Sequence, residues 1–301
     1  MNLNQAINKV YESYDSMFKN DTLKLSSLDS FLDIAAYYGD SQSWNVYNML
    51  LLLGQAPEFR NLMFEKDMLD RRVYIKPGSK PVSLIAQSSE TSKYEVFEMF
   101  DLTQSTAAEQ AKYEILTSDS KTTLIALVTS LKTINWEIDH YTASSVPWKD
   151  WARVSNPDPE CKVGYIAFRD PTEQEKATMP QDAIYTCMCR DIWKSFALWN
   201  LFYKDEFRSS KDFPMKYLPL CELYADLMCT RYKLSSHHDF THIPKALQGL
   251  KCDLKSFRQT FDPVLVLMSE SCETMDWWMD YFVNPKEPVD VTVQREGSDA
   301  S

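Results

Sequence analysis

The sequence predicts an α+β protein of two domains, in which a helical N-terminal module with a small sheet precedes a mostly helical second domain. Three observations support this prediction. At 301 residues the chain is longer than most single domains. Apolar residues recur at helical spacing in several long segments, whereas β-rich runs are few and short. With 44% hydrophobic residues, both domains have enough apolar material for a packed core.

The first domain, residues 1–112, is expected to begin with helices. A helix over residues 3–18 is predicted because apolar side chains recur every three to four positions. These side chains are Leu3, Ile7, Val10, Tyr14 and Phe18. Further helices are predicted over residues 28–38, 44–54 and 58–69, the second of them ended by Gly54 and Pro57.

A basic hairpin is predicted after these helices. Val73 and Ile75 mark one β-rich run, and the segment 82–85 marks another. Lys76-Pro77-Gly78-Ser79 between them has the composition of a turn. Four cations and no carboxylate lie between Arg71 and Ser89, which suits a polyanion. The alternative is an ordinary solvated hairpin.

The second domain, residues 113–284, is expected to combine helices with two strands. The predicted strands cover 136–141 and 163–168. Helices are predicted over 124–134, 180–203, 213–233, 245–249 and 262–282. Residues 285–301 are expected to be a disordered tail because they are rich in Pro, Asp, Glu and Ser.

Composition restricts the class of protein. The net charge of −11 argues against duplex binding by bulk charge, although it leaves room for a local basic groove. No run of about 18 apolar residues or secretion signal is evident, so we expect no membrane partner. The seven cysteines form no disulfide-like framework and are interpreted as reduced thiols of a cytoplasmic protein.

Three blocks of the first domain run from Trp44 to Leu50, from Ile75 to Ile85, and from Met99 to Gln104. In this order they resemble the N-terminal domain of the ArdC family, whose members are antirestriction proteins of plasmids and other mobile elements. One departure is Pro81, where the family usually has Gly. The resemblance covers about residues 1–110 and implies binding of single-stranded DNA.

Candidate DNA-binding residues follow from this resemblance and from the chemistry of single-strand recognition, in which aromatic rings stack on bases and cations hold phosphates. The stacking candidates are Trp44, Tyr47, Tyr74 and Phe100, the phosphate-binding candidates are Arg71, Arg72, Lys76 and Lys80, and Asn48 and Gln104 are candidates for hydrogen bonds to bases or sugar. Alternatively, Tyr47 and Phe100 belong to the core, and Asn48 fastens its helix to the hairpin.

In the ArdC family the second domain resembles a zinc metalloprotease with a His-Glu-x-x-His helix and a later Glu ligand. This chain has no such motif. The matching positions are Arg190 and Lys194 for the two His, Asp191 for the Glu, and Glu222 for the third ligand. Since Arg and Lys offer no lone pair to a metal, we predict a relict site without metal or cofactor and no enzymatic activity. Alternatively, Arg190, Asp191 and Lys194 are the exposed face of an amphipathic helix.

The sequence therefore predicts a noncatalytic single-stranded-DNA-binding protein of a mobile element or phage, with an antirestriction or anti-defence role. An alternative is an acidic protein that blocks a host nuclease or defence complex without binding DNA. An active metalloprotease is disfavoured by the missing ligands. A metal site at His238 and His242 is conceivable but disfavoured, because the surrounding segment resembles a loop and ends in Pro244.

Overall fold

A computed structural model of the chain describes residues 1–18, 24–39, 44–88, 92–108, 119–154, 164–202, 213–234 and 253–283. Its helices are α1 (Leu3–Met17), α2 (Leu25–Tyr38), α3 (Val46–Gln55), α4 (Glu65–Asp70), α5 (Ser120–Thr133), α6 (Glu173–Thr178), α7 (Gln181–Phe202), α8 (Phe213–Arg231) and α9 (Leu254–Val283). Its strands are β1 (Leu62–Met63), β2 (Val82–Gln87), β3 (Tyr94–Asp101), β4 (Glu137–Tyr141), β5 (Ala152–Val154) and β6 (Tyr165–Arg169). The predicted α+β fold is confirmed.

The sheet of the first half corrects the predicted hairpin. Its strand order is β1-β3-β2, and β2 pairs antiparallel with β3, with Leu84 opposite Phe97. Residues 73–75 form no strand, and Ile75 makes only an isolated bridge to Ser105. The predicted turn is confirmed, because Ser79 N donates to Lys76 O at 3.2 Å and Gly78 has a φ of +85°.

Helix α3 is tied to β2 by side-chain amides. Asn48 donates from Nδ2 to Ile85 O and accepts from Ile85 N, both at 2.9 Å. Gln55 repeats the arrangement with the backbone of Ser83 at 2.9 Å in both directions. Since the helix supplies the partners that a neighbouring strand would otherwise supply, this edge of β2 is covered.

Two predicted helices differ most in their bounds. The helix expected over 58–69 is shorter, because Leu62–Met63 pairs with β3 as a strand and the helix covers only Glu65–Asp70. The last helix begins at Leu254, earlier than predicted, and contains Pro263. The predicted helix at 245–249 and the predicted tail at 285–301 lie outside the described residues.

The second half contains a sheet of strand order β4-β6-β5, in which β4 and β6 are parallel. The sequence did not reveal β5, which pairs antiparallel with β6 over three residues. Gly164 precedes β6, and a Cβ atom there would lie 2.4 Å from the ring of Trp136, so only glycine fits. Helix α7 packs against β5 and β6 of this sheet and also against α8.

The two halves of the chain share one hydrophobic core. Phe257 of α9 contacts Tyr14, Phe18 and Phe31 of the first half, with ring centroids 5.5–6.0 Å apart. Phe261 of α9 also meets Phe31 at 5.2 Å. The predicted domain boundary at 112/113 lies outside the described residues. Within the described residues, no helix is long and apolar enough to cross a membrane.

Candidate nucleic-acid interface and relict metal site

Residues 71–80, which we call the basic segment, run from α4 to β2 along the chain after β3. Backbone hydrogen bonds hold it there: Lys76 N donates to Gln104 O, and Thr106 N donates to Tyr74 O, each at 2.8 Å. Tyr74 N donates to the hydroxyl of Thr106 at 3.0 Å. The segment is therefore an ordered arm fastened to the chain that follows β3, although it is not a strand.

The four cations of the basic segment, Arg71, Arg72, Lys76 and Lys80, are all exposed. None of them forms an ion pair with a carboxylate of the described residues. Tyr74 is also exposed, with 57% of its surface accessible. The preceding helix α4 carries Glu65, Asp67 and Asp70, which reduce the positive potential on one side only.

Two polar candidates are used by the fold itself. The amide of Asn48 is buried, and Ile85 engages both of its ends. Gln104 donates from Nε2 to Lys80 O and accepts from Asp101 N, both at 2.9 Å. These contacts place Gln104 under the end of the basic segment, where it fixes the backbone next to Lys80.

Trp44 lies in a cleft of about 500 Å³ on the sheet. The cleft is lined by aromatic and apolar side chains, among them Trp44, Phe64, Leu84, Tyr94, Phe97 and Met99. Phe64 and Phe97 pack together with centroids 5.5 Å apart, and Trp44 stacks on Tyr38 at 3.7 Å. Phe64 and Phe97 were not predicted as site residues, because an aromatic residue next to or within a strand is usually interpreted as core.

The remaining stacking candidates do not share this cleft. Tyr47 is half-buried beneath the guanidinium of Arg258, which lies 5.1 Å from its ring centroid, and it lines a second cleft of about 400 Å³. Phe100 is half-buried in β3 opposite Met63. The structure thus brings Arg71, Arg72, Tyr74, Lys76 and Lys80 together in one segment and leaves Tyr47 apart in the second cleft.

The predicted relict site is assembled by two packed helices. Arg190 and Lys194 lie one turn apart on α7 and both reach Glu222 of α8. The Arg190 Nη2–Glu222 Oε2 distance is 3.0 Å, and the Lys194 Nζ–Glu222 Oε1 distance is 2.5 Å. Glu222 is buried, with 9% of its surface exposed. Its Oε2 atom has the ion pair with Arg190 but no aligned hydrogen bond among the described residues.

Asp191 has a hydrogen-bond partner outside this triad. Its Oδ2 atom accepts from the backbone N of Trp151 at 2.8 Å. Burial raises the pKa of Asp191, although the bond from Trp151 and the charge of Lys194 oppose the shift. Asp191 therefore fastens the segment before β5 to α7.

The same segment is held from its other side by Arg169. This buried guanidinium donates to Lys149 O at 2.6 Å and Asp150 O at 3.0 Å. It also forms two hydrogen bonds with the carboxylate of Glu175 at 2.8 and 2.9 Å. The bonds from Arg169 are the largest reason why the pKa of Glu175 falls to about 2.

The donor set of the triad does not suit a metal ion. Two of its three side chains are cations, and no cluster of three or more His, Cys, Asp or Glu suited to a metal occurs among the described residues. His140 lies elsewhere, 2.7 Å from Asp170 at an exposed position. His237, His238 and His242 lie outside the described residues.

Comparison with known proteins supports the architecture. No protein-family model and no curated protein sequence matches the chain. Its fold is similar to the crystal structure of the antirestriction protein ArdC from plasmid R388 in its Mn(II)-bound form. The TM-score is 0.51 at 12% identity, over 90% of this chain and 97% of that chain. At this identity the likeness establishes the fold alone.

Proposed function

We propose that the protein binds single-stranded DNA through its N-terminal half and acts, without catalysis, in an antirestriction or anti-defence role. One observation carries the proposal: the basic segment exposes four cations and the ring of Tyr74 with no carboxylate partner among the described residues. A polyanion with unstacked bases satisfies both groups, because phosphates pair with cations and bases stack on aromatic rings.

The sheet offers a path from the basic segment to the aromatic cleft. Strand β2 begins two residues after Lys80, and its Leu84 lines the cleft with Trp44 and Phe97. Phe64 lies at the cleft immediately before α4, and Arg71 caps the C-terminal end of the same helix. Phosphates at the cations and a base at the cleft would therefore belong to one short stretch of DNA.

Single strands fit these features better than a duplex does. Stacking on Tyr74 or in the cleft requires bases that are free of a partner strand. The net charge of −11 opposes the denser charge of a duplex, and only four cations are available in the basic segment to offset it. We therefore expect preference for single strands and strong dependence on salt.

The second half is proposed to be a metalloprotease-like scaffold in which an ionic triad replaced the metal. Arg190 and Lys194 place positive charge on Glu222 from two sides, as a bound cation would. Metal analysis after mild purification tests this proposal. We expect no stoichiometric metal, and a ratio of about one zinc or manganese per chain would contradict it.

The antirestriction role rests on the likeness of fold to ArdC, a protein described by that activity and found on a plasmid. The role would be noncatalytic here, because the triad lacks the donors that a catalytic metal requires. Protection of incoming DNA from a restriction enzyme, compared between the intact protein and an Arg71→Ala/Arg72→Ala variant, tests the link between the role and the basic segment.

Binding itself is tested with labelled single-stranded and duplex oligonucleotides at low salt. The Arg71→Ala/Arg72→Ala variant should bind the single strand more weakly, whereas Lys121→Ala/Lys132→Ala removes two exposed cations of α5 and should not. Equal losses in both variants would mean that bulk charge drives binding. Absence of binding would favour the acidic inhibitor that acts on a protein alone.

A further inference from the structure

One face of α9 carries a continuous exposed stripe. Its members follow each other at intervals of three or four residues and therefore share one side of the helix. They are Val266, Glu270, Glu273, Trp277 and Tyr281. The opposite side of α9 supplies Phe257, Phe261 and Met268 to the core. The stripe is thus the solvent face of a helix that is fixed by burial of its other face.

The end of the stripe is aromatic. Trp277 is 60% exposed and Tyr281 is 54% exposed. The two rings stack at 10° with centroids 5.9 Å apart. Trp278 lies beneath them, meets Trp277 edge-on at 4.6 Å, and donates from Nε1 to Thr133 of α5 at 3.0 Å. This arrangement holds two large rings in place at the surface, so binding a partner there would cost little side-chain entropy.

The surroundings of these rings are acidic. From residue 259 to 283, α9 contains five carboxylates and no Lys or Arg. Asp276 pairs with Arg231 at 2.7 Å, whereas Glu273 has no ion-pair partner among the described residues. The last turn of α9 has no basic residue, although the negative end of the helix dipole favours one. A cation supplied by another molecule would relieve this unfavourable charge arrangement.

We propose that Trp277, Tyr281 and Glu273 form a docking surface for a cationic protein, one whose Arg and Lys side chains contact the rings and the carboxylate. Aromatic faces attract guanidinium and ammonium groups, and a neighbouring carboxylate adds an ion pair. Surfaces that contact DNA are rich in these cations. Such a protein would bind α9 independently of the DNA site in the other half of the chain.

Electrostatic repulsion disfavours a second copy of the chain or DNA at this surface. Two copies of this surface would bring Glu273 of each copy towards the acidic face of the other, and like charges at an interface are unfavourable. DNA would be repelled for the same reason. One exposed cation, Lys132, precedes Thr133, the residue to which Trp278 donates. Lys132 would weaken the attraction of a cationic partner slightly.

The probe for this surface is a labelled synthetic peptide of alternating Arg, Lys and Ala, titrated with the full-length protein at low salt. Trp277→Ala/Tyr281→Ala should weaken peptide binding about tenfold, which corresponds to about 1.4 kcal/mol. Glu273→Gln should weaken it less, and Lys132→Ala should strengthen it. Because all four side chains are exposed, melting temperatures should stay unchanged.

Matched controls distinguish binding at the docking surface from attraction to the overall negative charge of the protein. Tyr11→Ala removes another exposed ring on α1, and Glu137→Gln removes another exposed carboxylate on β4; neither should alter peptide binding. Single-stranded DNA binding should be unchanged in the Trp277→Ala/Tyr281→Ala variant. Equal peptide affinity in wild type and that variant would overturn the proposal. A dimer that sediments as such and is abolished by Trp277→Ala would also overturn it, in favour of a second copy.

Discussion

At the scale of single residues, Glu222 is a buried charge of the second half that joins two helices. It is buried between Arg190 and Lys194, and these ion pairs join α7 to α8. Removing one member of a buried ionic group strands the others without compensation, which costs more than the group contributes to stability. The carboxylate therefore matters to the fold.

Glu222→Gln should destabilise the protein by about 3 kcal/mol, because two cations would lose their counter-charge in a partly buried site. A loss of 1 kcal/mol lowers the melting temperature by about 2–4 °C for a chain of this size. Glu173→Gln is the matched control, since its ion pair with Lys176 is exposed and should contribute little to stability. Equal melting curves of the two variants would contradict the structural role of Glu222.

Arg190→His/Lys194→His should create a metal site, because two imidazoles one helical turn apart would join Glu222 in a three-ligand set. We expect about one zinc per chain after dialysis against the metal, with a rise in melting temperature when zinc is added. Arg190→Ala/Lys194→Ala is the control and should bind none. If the histidine variant folds and takes up no metal, the triad does not occupy a former metal site.

Site residues that are close in sequence could be predicted, whereas contacts between residues far apart in sequence could not. The i, i+4 spacing of Arg190 and Lys194, together with the resemblance to the family, located the triad with Glu222. The direction of Asp191 depends on Trp151, which is 40 residues away in sequence, and could not be deduced. Asn48 and Gln104 were candidates for bases, with fastening of the helix as the alternative for Asn48, and the contact of Asn48 with Ile85 confirms that alternative. For Gln104, only the position of Lys80 distinguishes contact with a base from contact with the backbone.

At the scale of elements, the basic segment was predicted as a strand of a hairpin because Val73 and Ile75 alternate with polar residues. The better partner for β2 is β3, in which residues 94–99 pair with all six residues of β2 and place Phe97 opposite Leu84. Local alternation does not identify the partner, because the competing strand lies further along the chain. The basic segment consequently lies outside the sheet. Hydrogen bonds to the chain after β3 hold its backbone, and its cations are exposed.

Phe64→Ala should weaken single-stranded DNA binding about tenfold if a base stacks in the sheet cleft, because stacking contributes about 1–3 kcal/mol per base. The slope of log affinity against log salt should stay unchanged, since no phosphate contact is removed. Leu69→Ala, another exposed apolar residue at α4, is the control. A changed slope, or unchanged affinity, would exclude the cleft from the DNA site.

The Arg169–Glu175 pair should make the stability of the second half depend on pH. The pKa of Glu175 lies at about 2, below its ordinary value of 4.5, so its contribution is complete above about 4.5 and is lost as the pH falls towards 2. Glu175→Gln keeps the α6 cap and removes the charge. The melting temperatures of wild type and variant should differ most near neutrality and converge in acid; a constant difference would mean that the pair does not titrate as described.

At the scale of the whole molecule, the chain's two sequence halves are joined by α9. Helical periodicity predicted most helices, and the α+β class followed from them. The contact of Phe257 with Tyr14 and Phe31 joins positions more than 200 residues apart, and periodicity carries no information about it. Charge is also unevenly distributed: cations are exposed on the basic segment, whereas α9 is acidic.

The salt dependence of single-stranded DNA binding tests the central claim most directly. Each phosphate contact contributes a slope of about −0.7 in log affinity against log salt. Lys76→Ala/Lys80→Ala should therefore weaken binding and flatten the slope by about 1.4, while Lys121→Ala/Lys132→Ala leaves it unchanged. A slope that is identical in wild type and the Lys76→Ala/Lys80→Ala variant would remove the basic segment from the DNA site and contradict the proposed function.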